Sequence, residues 1–303
     1  MIKNRYKLKE VMKFIDVVLE IRDARAPLST QFPFIDELLP KGSNKSRLIV
    51  FNKSDLSNQS MLKKFQEKIQ SSELQSSGVS VHDIEFTQSK FFDNRSSQKH
   101  PYQILKRAAE LHQKRVPTNT SYLRTPLLKE VNMLVVGLPN VGKSSFINAI
   151  RSASGRKKSA KMGALPGVTR DINGFRACDN PPAFLVDTPG IMVPGNLEDT
   201  NRALTLSLIG AIHEKIVPIE VLADFLLFKL CQLKNFTFLK VLDLDPKFIE
   251  IHGDNINTLL LELCTKYKLL LPNATPDTTQ AAILFISKFR EGLYGQFILD
   301  QLN

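Results

Sequence analysis

Hydrophobic residues in the first two-thirds of the chain fall into short runs, with helical or polar segments between them. Runs rich in Val, Ile and Leu predict buried strands, and apolar positions at helical spacing predict helices. Strands that alternate with helices indicate an α/β fold, with a mostly parallel sheet and helices on both faces. The predicted strands are Phe14–Arg22, Ser46–Phe51, Val81–Phe86, Val131–Val136 and Phe184–Val186, and the predicted helices are Gln59–Gln70, Tyr102–His112 and Ser144–Arg151.

The pattern changes after about residue 200, because apolar positions there recur at helical spacing. We therefore predict two domains, an α/β domain over residues 1–203 and a small all-helical domain over residues 204–303. The polar, basic segment Gln113–Lys129 contains two prolines and is interpreted as a linker. The predicted helices of the second domain are Leu204–His213, Pro218–Leu233, Asn255–Lys266 and Thr278–Phe289, with Pro218 in the first turn of its helix.

The chain is basic, with 41 Lys and Arg against 30 Asp and Glu and a formal net charge of +11. Such an excess favours a polyanionic partner, either a nucleic acid or an anionic membrane surface. The charges of the predicted helical domain nearly balance, so the excess belongs to the first domain. The three cysteines form no CxxC pair, which argues against a zinc ribbon and fits a reducing compartment. No apolar run reaches the roughly 18–20 residues of a membrane span, so we expect no transmembrane segment.

A phosphate-binding motif follows the fourth predicted strand and precedes a predicted helix. Residues Gly137–Ser144 have the sequence GLPNVGKS and match GxxxxGKS in full. The glycines let successive backbone N–H groups face phosphate oxygens, and the helix directs its positive end at the anion. We expect Lys143 to neutralise the β- and γ-phosphates and Ser144 to bind Mg²⁺. The nucleotide-binding residues expected in this segment are Asn140, Val141, Gly142, Lys143, Ser144 and Ser145.

A base-reading motif follows the second predicted strand, where Asn52, Lys53 and Asp55 belong to the sequence NKSD. A carboxylate at Asp55 accepts two hydrogen bonds from the N1–H and the exocyclic amine of guanine, a donor pair that adenine lacks. A site built on such bonds rejects the wrong base strongly, so the motif selects GTP over ATP. The alternative interpretation is a polar turn, since Asn, Ser and Asp are common turn residues.

Two further segments are candidates for sensing the γ-phosphate. Asp187 begins the sequence DTPG directly after the fifth predicted strand, where its carboxylate can hold Mg²⁺ through water and the N–H of Gly190 can contact the γ-phosphate. Thr169 lies between the phosphate-binding loop and DTPG, where its hydroxyl can reach Mg²⁺ when GTP is bound. The alternative for Thr169 is an ordinary loop threonine.

The order of the motifs is circularly permuted. In a Ras-like GTPase the phosphate-binding loop comes first and NKxD last, whereas here NKSD lies upstream of GLPNVGKS. The permutation also places DTPG next to the predicted helical domain. A loop that moves on hydrolysis is thereby tethered to a second domain, which suggests a nucleotide-driven relay.

These motifs and their order resemble the YlqF/RbgA family of circularly permuted GTPases, which includes the mitochondrial ribosome-associated GTPases. The resemblance covers almost the whole chain, from DARAPL at Asp23–Leu28 to FREGLYG at Phe289–Gly295, which is similar to the family's FRxGxLG. It implies a protein that binds GTP and GDP with Mg²⁺, hydrolyses GTP, and binds the large ribosomal subunit and its rRNA late in assembly. The implied location is mitochondrial, in the matrix or at the inner-membrane face, and a peripheral membrane association stays open.

The chain departs from the family pattern near its beginning. Family members usually carry a histidine ahead of the first strand, whereas the first histidine here is His82, and no convincing presequence precedes the first strand. We therefore expect a chain that is shortened at its N-terminus. The segment that supports guanine usually contains Ser-Ala, and its candidate here is Thr87-Gln88-Ser89.

Catalysis is expected to be slow without an activator. Ile191 follows Gly190 where Ras-like enzymes carry a glutamine that orients water, and an aliphatic side chain cannot polarise water. Asn140 is similar to the asparagine that binds K⁺ in cation-activated GTPases, and such an ion would replace an arginine finger electrostatically. The alternative is that Asn140 only shapes the loop. The residues expected to act in catalysis are Lys143, Asn140, Thr169 and Gly190.

The choice of partner stays open at the level of residues. Arg156, Lys157, Lys158 and Lys161 lie in the loop that leads to Thr169, where they either bind rRNA phosphates in the GTP state or form a solvated loop. Besides ribosome assembly, the motifs fit a regulatory GTPase that recruits protein effectors or binds a membrane surface. A P-loop ATPase or metabolite kinase is disfavoured by NKSD. Arg25 in DARAPL is interpreted as structural, near the nucleotide-side edge of the sheet, and the alternative is a functional role.

Overall fold

The structure is a computed structural model that describes residues 8–39, 43–76, 81–88, 99–115, 130–154, 174–187, 199–212 and 217–302 of the 303-residue chain. The chain divides into two compact units, Met1–Val193 and Pro194–Gln301. The sequence places the boundary after residue 203, which lies inside a helix of the second unit, and this boundary stays a prediction.

A six-stranded sheet organises the first unit, with strand order β3-β2-β1-β4-β6-β5. The parallel pairs are β1 with β2, β1 with β4, β2 with β3, and β4 with β6, whereas β5 runs antiparallel to β6. The mostly parallel α/β sheet predicted from the sequence is therefore confirmed. The strands are β1 (Val17–Asp23), β2 (Ser46–Asn52), β3 (Val81–Thr87), β4 (Val131–Val136), β5 (Gly174–Asp179) and β6 (Pro182–Asp187).

Two strands differ from the sequence-based prediction by more than two residues. β1 begins at Val17 rather than Phe14, because the backbone N–H groups of Lys13 and Phe14 bond to carbonyls of the preceding helix. The prediction missed β5, whose six residues GFRACD alternate only weakly between apolar and polar. This strand is held by its antiparallel pairing with β6, a long-range feature that the local pattern does not contain.

Helices of the first unit pack beside this sheet through apolar faces. In α3, Leu62, Phe65 and Ile69 are buried and recur at helical spacing. α4 packs against α5 and contacts β1, β3 and β6, and it extends to Arg115, three residues into the predicted linker. The remaining residues of that linker, 116–129, lie outside the described residues. The helices are α1 (residues 8–12), α2 (Ile35–Leu38), α3 (Gln59–Ser76), α4 (Pro101–Arg115) and α5 (Lys143–Ala153).

The parallel strands place their carboxyl ends at one edge of the sheet. Asp23 of β1 lies in register with Asn52 of β2, which in turn lies opposite Thr87 of β3. β4 and β6 are parallel to these strands, so Val136 and Asp187 end at the same edge. Open α/β sheets bind ligands at this edge, and the motifs NKSD and GLPNVGKS both begin there.

The second unit is helical, as the sequence predicts, and its core is apolar. α7 packs against α11 and α6, and α10 packs against α11. Phe238, Phe285 and Tyr294 form an aromatic cluster in which ring centroids lie 5.5–6.1 Å apart. The helices are α6 (Thr200–Leu208), α7 (Ile219–Gln232), α8 (Thr237–Val241), α9 (Phe248–His252), α10 (Ile256–Tyr267) and α11 (Thr278–Arg290).

Helix ends in the second unit explain two shifts from the predicted bounds. α6 begins four residues early because the Asp199 carboxylate accepts hydrogen bonds from the N–H groups of Asn201 and Arg202, which caps the helix. Pro218 lies at the N-cap of α7 rather than inside its first turn. In the described part of the chain, no helix has the length and apolarity needed to cross a lipid bilayer.

The segment FREGLYG connects the end of α11 to other parts of the helical unit through hydrogen bonds. The Arg290 guanidinium donates hydrogen bonds to the carbonyls of Ser207 and Leu208 at the end of α6, at 3.0 and 2.9 Å. The buried Tyr294 donates its hydroxyl to the Phe285 carbonyl, and the Tyr294 carbonyl accepts from the Asn235 amide. The chain reverses at Gly292, whose φ of 84° favours glycine. This sequence signature therefore has a structural role that is visible in its contacts.

Candidate nucleotide-binding site

The loop over residues 137–144 leaves β4 and enters α5 through two glycines with positive φ. Gly137 has a φ of 151° and Gly142 has a φ of 97°. A Cβ at Gly137 would collide with the Ile21 carbonyl, and one at Gly142 would collide with the Asn52 amide, so both positions require glycine. Gly142 is the N-cap of α5 and offers no side-chain oxygen to the first-turn N–H groups. A helix end of this kind suits an anion such as a phosphate.

Two side chains of NKSD, at the carboxyl end of β2, form hydrogen bonds with this loop. The Asn52 amide Nδ2 donates a hydrogen bond to the Val141 carbonyl at 2.9 Å. The Lys53 ammonium donates to the Asn140 carbonyl at 2.8 Å, and Lys53 has a left-handed φ of 58°. The base-reading and phosphate-reading motifs are therefore connected directly, although 87 to 89 residues separate the bonded partners in sequence.

A buried aspartate supports this connection from the end of β1. The Asp23 carboxylate accepts hydrogen bonds from the Lys53 ammonium at 2.8 Å and from the Nε and Nη2 atoms of Arg25 at 3.0 and 2.9 Å. Burial by itself raises the pKa of Asp23, but the charges of Arg25 and Lys53 hold it well below its usual range. The site therefore contains a fixed, ionised carboxylate beside the lysine of NKSD.

Asp55 lies half-buried in the 3₁₀ turn Ser54–Leu56 that follows Lys53. Burial raises the pKa of Asp55, while its own backbone N–H and the charges of Arg25 and Lys53 act in the opposite direction. The turn is attached to β3 because the Ser54 hydroxyl donates to the Thr87 carbonyl at 3.1 Å. Ionised, this carboxylate has the acceptors that the paired donors of guanine need.

The lysine of GLPNVGKS lies over its own loop. The Lys143 ammonium donates to the Leu138 carbonyl at 2.6 Å. Ser144 is exposed and Ser145 is half-buried in the first turn of α5, whose opposite face is buried through Phe146 and Ile150. The Ser144 hydroxyl is therefore accessible to a ligand at the helix end.

The candidate guanine-supporting segment begins beside NKSD. Thr87 is fully buried and its hydroxyl donates to the Lys99 carbonyl at 2.8 Å. Its side chain is therefore engaged within the fold, and a contact with a base would come from the backbone or from the residues that follow. Ser89 lies outside the described residues.

Of the expected switch and metal residues Thr169, Asp187 and Gly190, the structure describes Asp187 alone. Asp187 is the last residue of β6, and its backbone lies in register with Val135 of β4. Thr169 and Gly190 lie outside the described residues, as does the basic cluster of Arg156, Lys157, Lys158 and Lys161.

Comparison with known proteins identifies the family of this chain. Residues 132–235 match a family model described as 50S ribosome-binding GTPase. "Mitochondrial ribosome-associated GTPase 1" of Mus musculus is 32% identical over 99% of this chain and 88% of its own length. The chain belongs to the mitochondrial ribosome-associated GTPase family. "Short integuments 2, mitochondrial" of Arabidopsis thaliana is 35% identical over 75% of this chain and 52% of its own length.

A solved structure supports the fold assigned to this family member. The GNP-bound YlqF of T. maritima superposes with a TM-score of 0.61, covering 99% of this chain and 98% of that chain at 18% sequence identity. The fold of a circularly permuted GTPase, expected from the order of NKSD and GLPNVGKS, is therefore confirmed.

Sequence reasoning on this mitochondrial GTPase missed Asp23 as part of the site. Its neighbour Arg25 was interpreted as structural, and its guanidinium is indeed buried against the Asp23 carboxylate. The sequence does contain a signal, because Asp23 is an acidic residue at the end of β1, whose seven residues are all buried. β1 is the neighbour of β2, the strand that leads into NKSD. Lys53, the partner of Asp23, is 30 residues away, and the sequence gives no distance between them.

Proposed function

We propose that the chain is a mitochondrial GTPase that binds and hydrolyses GTP and acts in late assembly of the large mitochondrial ribosomal subunit. The observation that carries the proposal is the direct attachment of NKSD to the phosphate-binding loop through Asn52 and Lys53. It brings a guanine-reading carboxylate and a phosphate-reading loop to one sheet edge, as a guanine nucleotide requires. The ribosomal part of the proposal rests on the family, whose model and relatives are named for ribosome binding or association.

At the base end, Asp55 accepts the paired guanine donors. Asn52 and Lys53 fix the turn that carries Asp55 by binding the carbonyls of Val141 and Asn140. Residues Thr87 to Ser89 complete this end of the site. Selection against adenine follows, because a buried acceptor that lacks its donors loses binding free energy.

At the phosphate end, the backbone N–H groups from Asn140 to Ser145 and the Lys143 ammonium bind the phosphates. The collision that a Cβ would make at Gly137 and at Gly142 shows that the backbone passes there without space for a side chain. This close passage packs the loop against β1 and β2, and its positive-φ glycines allow the curled backbone that surrounds an anion. The Lys143 ammonium donates to the Leu138 carbonyl in this structure. It exchanges this acceptor for the β- and γ-phosphates when the nucleotide binds.

Ser144, Thr169 and Asp187 are the residues that would hold Mg²⁺. The exposed Ser144 hydroxyl at the start of α5 fits this role, and β6 brings Asp187 to the same sheet edge. Held there, the ion would neutralise charge on the phosphate oxygens. The Gly190 N–H is assigned to the γ-phosphate, and the Thr169 hydroxyl is assigned to Mg²⁺ when GTP is bound. Both contacts would be lost on hydrolysis, because they depend on the γ-phosphate.

Turnover is slow because Ile191 cannot orient water. A monovalent cation held at Asn140 would supply part of the missing electrostatic stabilisation. Asn140 has a left-handed φ of 56° within the loop. GTP hydrolysis is expected to be several-fold faster in KCl than in NaCl. Equal rates in the two salts would leave Asn140 with a purely structural role.

The large subunit is the proposed activator and binding partner. The net charge of +11 favours rRNA, and residues 156–158 with Lys161 provide a basic cluster in the segment that leads to Thr169. A peripheral association with the mitochondrial inner membrane is a secondary proposal that rests on the same basic charge.

Nucleotide-dependent co-sedimentation with mitochondrial large subunits tests the function. Wild-type protein loaded with a non-hydrolysable GTP analogue is expected to travel with the subunit, and GDP-loaded protein is expected to stay at the top of the gradient. Asp55→Asn supplies the control, because an amide in place of the carboxylate exchanges guanine preference for xanthine. This variant should bind the subunit only with the xanthosine analogue.

A regulatory switch that is unconnected with ribosomes predicts a different outcome. Such a protein would bind GTP over ATP in competition assays but would not travel with large subunits in any nucleotide state. Loss of GTP preference itself would contradict both functions, since each depends on Asp55.

A further inference from the structure

We propose that Asp23 is a positioning residue for guanine-nucleotide binding, which holds the Lys53 ammonium against the Asn140 carbonyl of the phosphate-binding loop. The proposal rests on the proposed function, because it assigns Asp23 a task within the GTP site. It differs from the assignment of NKSD itself, since Asp23 lies on another strand and belongs to neither motif.

The Lys53 ammonium lies between two acceptors at equal distance. Its Nζ atom is 2.8 Å from Asp23 Oδ2 and 2.8 Å from the Asn140 carbonyl oxygen. A lysine side chain has several rotatable bonds, and holding it in one geometry costs conformational entropy. A second, charged acceptor outside the loop fixes the ammonium before the nucleotide arrives.

Burial makes the carboxylate an effective anchor. The Asp23 side chain is 1% exposed, whereas the Lys53 side chain is 27% exposed. The interaction therefore has its anion in the protein interior, where weaker screening by water strengthens the attraction. Such an anchor differs from an exposed ion pair, which contributes little.

Arg25 fixes the direction of the Asp23 carboxylate. Its backbone N–H and Nε donate to Oδ1, and its Nη2 donates to Oδ2 beside the Lys53 ammonium. A backbone hydrogen bond also joins the loop after β1 to the end of β2, because the Ala24 N–H donates to the Asn52 carbonyl at 2.8 Å. The loop after β1 and the loop after β2 therefore form one rigid support for NKSD.

The same strand supplies a matched control. Glu20 is a second fully buried carboxylate, three residues upstream, and it accepts hydrogen bonds from Arg22, Arg47 and the Phe32 backbone N–H. These partners lie on β1, on β2 and in the turn before α2, and Lys53 is not among them. Glu20→Gln therefore removes a buried charge from β1 without removing the anchor of the lysine.

The test compares Asp23→Asn with Glu20→Gln by titration with a fluorescent GDP analogue and by steady-state GTP hydrolysis. Asp23→Asn is expected to raise the GDP Kd and the GTP KM by about 10- to 100-fold, the range for hydrogen bonds to charged groups. Its kcat at saturating GTP should stay within about threefold of wild type. Glu20→Gln should leave Kd, KM and kcat within about threefold, at a temperature where both variants are folded.

A double-mutant cycle with Lys53→Met shows whether Asp23 acts through the lysine. Asp23→Asn combined with Lys53→Met should bind GDP no more weakly than Lys53→Met alone. Additive losses would overturn the proposal, as would an unchanged Kd for Asp23→Asn. If Asp23→Asn does not fold, Asp23→Asn with Arg25→Met removes both buried charges together and carries the same expectation for Kd.

Failure of the proposal and failure of the proposed function give different results. If wild-type protein does not prefer guanine nucleotides, the GTP site itself is wrong. If wild-type protein binds GDP tightly and the Asp23 variants bind it equally well, only the positioning role is wrong.

Discussion

The two units of this GTPase stabilise their interiors with different chemistry. In the described part of the first unit, five charged residues of β1, its following loop and β2 are buried, namely Glu20, Arg22, Asp23, Arg25 and Arg47. In the described part of the second unit, Lys229 is the one buried charged side chain, and the core consists of aliphatic and aromatic residues. Buried ion pairs fix geometry at a desolvation cost, whereas apolar packing contributes stability directly.

The surfaces of the two units differ in the same sense as their interiors. Eleven of the twelve large hydrophobic side chains that are exposed among the described residues belong to the second unit, and the first unit contributes Phe14. The basic excess of the chain, in contrast, belongs to the first unit by sequence. A charged interior therefore accompanies a basic excess in the first unit, and an apolar interior accompanies exposed apolar side chains in the second.

The largest expected effect comes from the apolar core. Phe285 is fully buried and its ring packs against those of Phe238 and Tyr294. Phe285→Ala should lower the free energy of unfolding by about 3–5 kcal/mol, because it removes buried apolar area and leaves a cavity. Urea unfolding followed by far-UV circular dichroism measures this change.

Ile283 on the same helix provides the control for Phe285→Ala. Its side chain is 43% exposed, so Ile283→Ala should change the free energy of unfolding by about 0.5 kcal/mol or less. Equal effects of the two substitutions would show that the aromatic cluster is not the stabilising core of this unit.

The second prediction concerns the ionic interior and its pH dependence. Burial opposes ionisation of Glu20, but Arg22 and Arg47 lower its pKa from 4.5 to about 2. Its folded pKa is thus below its unfolded value, so its stabilising contribution is present above about pH 4.5 and is lost as the pH falls towards 2. Glu20→Gln should lower the free energy of unfolding by about 3 kcal/mol at pH 7, because two arginines lose their charged partner.

Unfolding measured at several pH values separates this effect from a general loss of packing. The difference between wild type and Glu20→Gln should shrink as the pH falls from about 4.5 to 2. Glu67→Gln, at an exposed position of α3, should follow wild type throughout. A constant difference across this range would mean that the Glu20 charge does not stabilise the fold.

The contrast between the units also explains what the sequence could predict. Fully buried parallel strands appear as apolar runs, so β1 and β2 were found although they contain Glu20, Arg22 and Arg47. The pattern treats those charges as interruptions, because it does not show that Glu20 of β1 pairs with Arg47 of β2 as well as with Arg22 on its own strand. β5 escaped detection because its pairing with β6 rather than its own composition determines its conformation.

The candidate site was predicted as far as its motifs extend. GLPNVGKS and NKSD identify a nucleotide-binding site because their backbone and side-chain chemistry is local to each segment. The distance between them is not local. The placement of Asn52 beside Val141, and of Asp23 beside Lys53, depends on strand register and on the order of β2, β1 and β4, which only the folded chain specifies.

The smallest of the three effects is expected at Arg290, a charged residue that serves the apolar unit. Its guanidinium binds the carbonyls of Ser207 and Leu208 at the end of α6, where a cation is favourable. Arg290→Gln should lower the free energy of unfolding by about 1–2 kcal/mol and speed amide hydrogen exchange in α6, since charge-assisted bonds are lost. Lys288→Gln, which loses a half-exposed ion pair with Glu291, should cost less than about 0.5 kcal/mol and leave α6 exchange unchanged. If Lys288→Gln loosens α6 as much as Arg290→Gln does, the charge of α11 rather than the two hydrogen bonds holds that helix end.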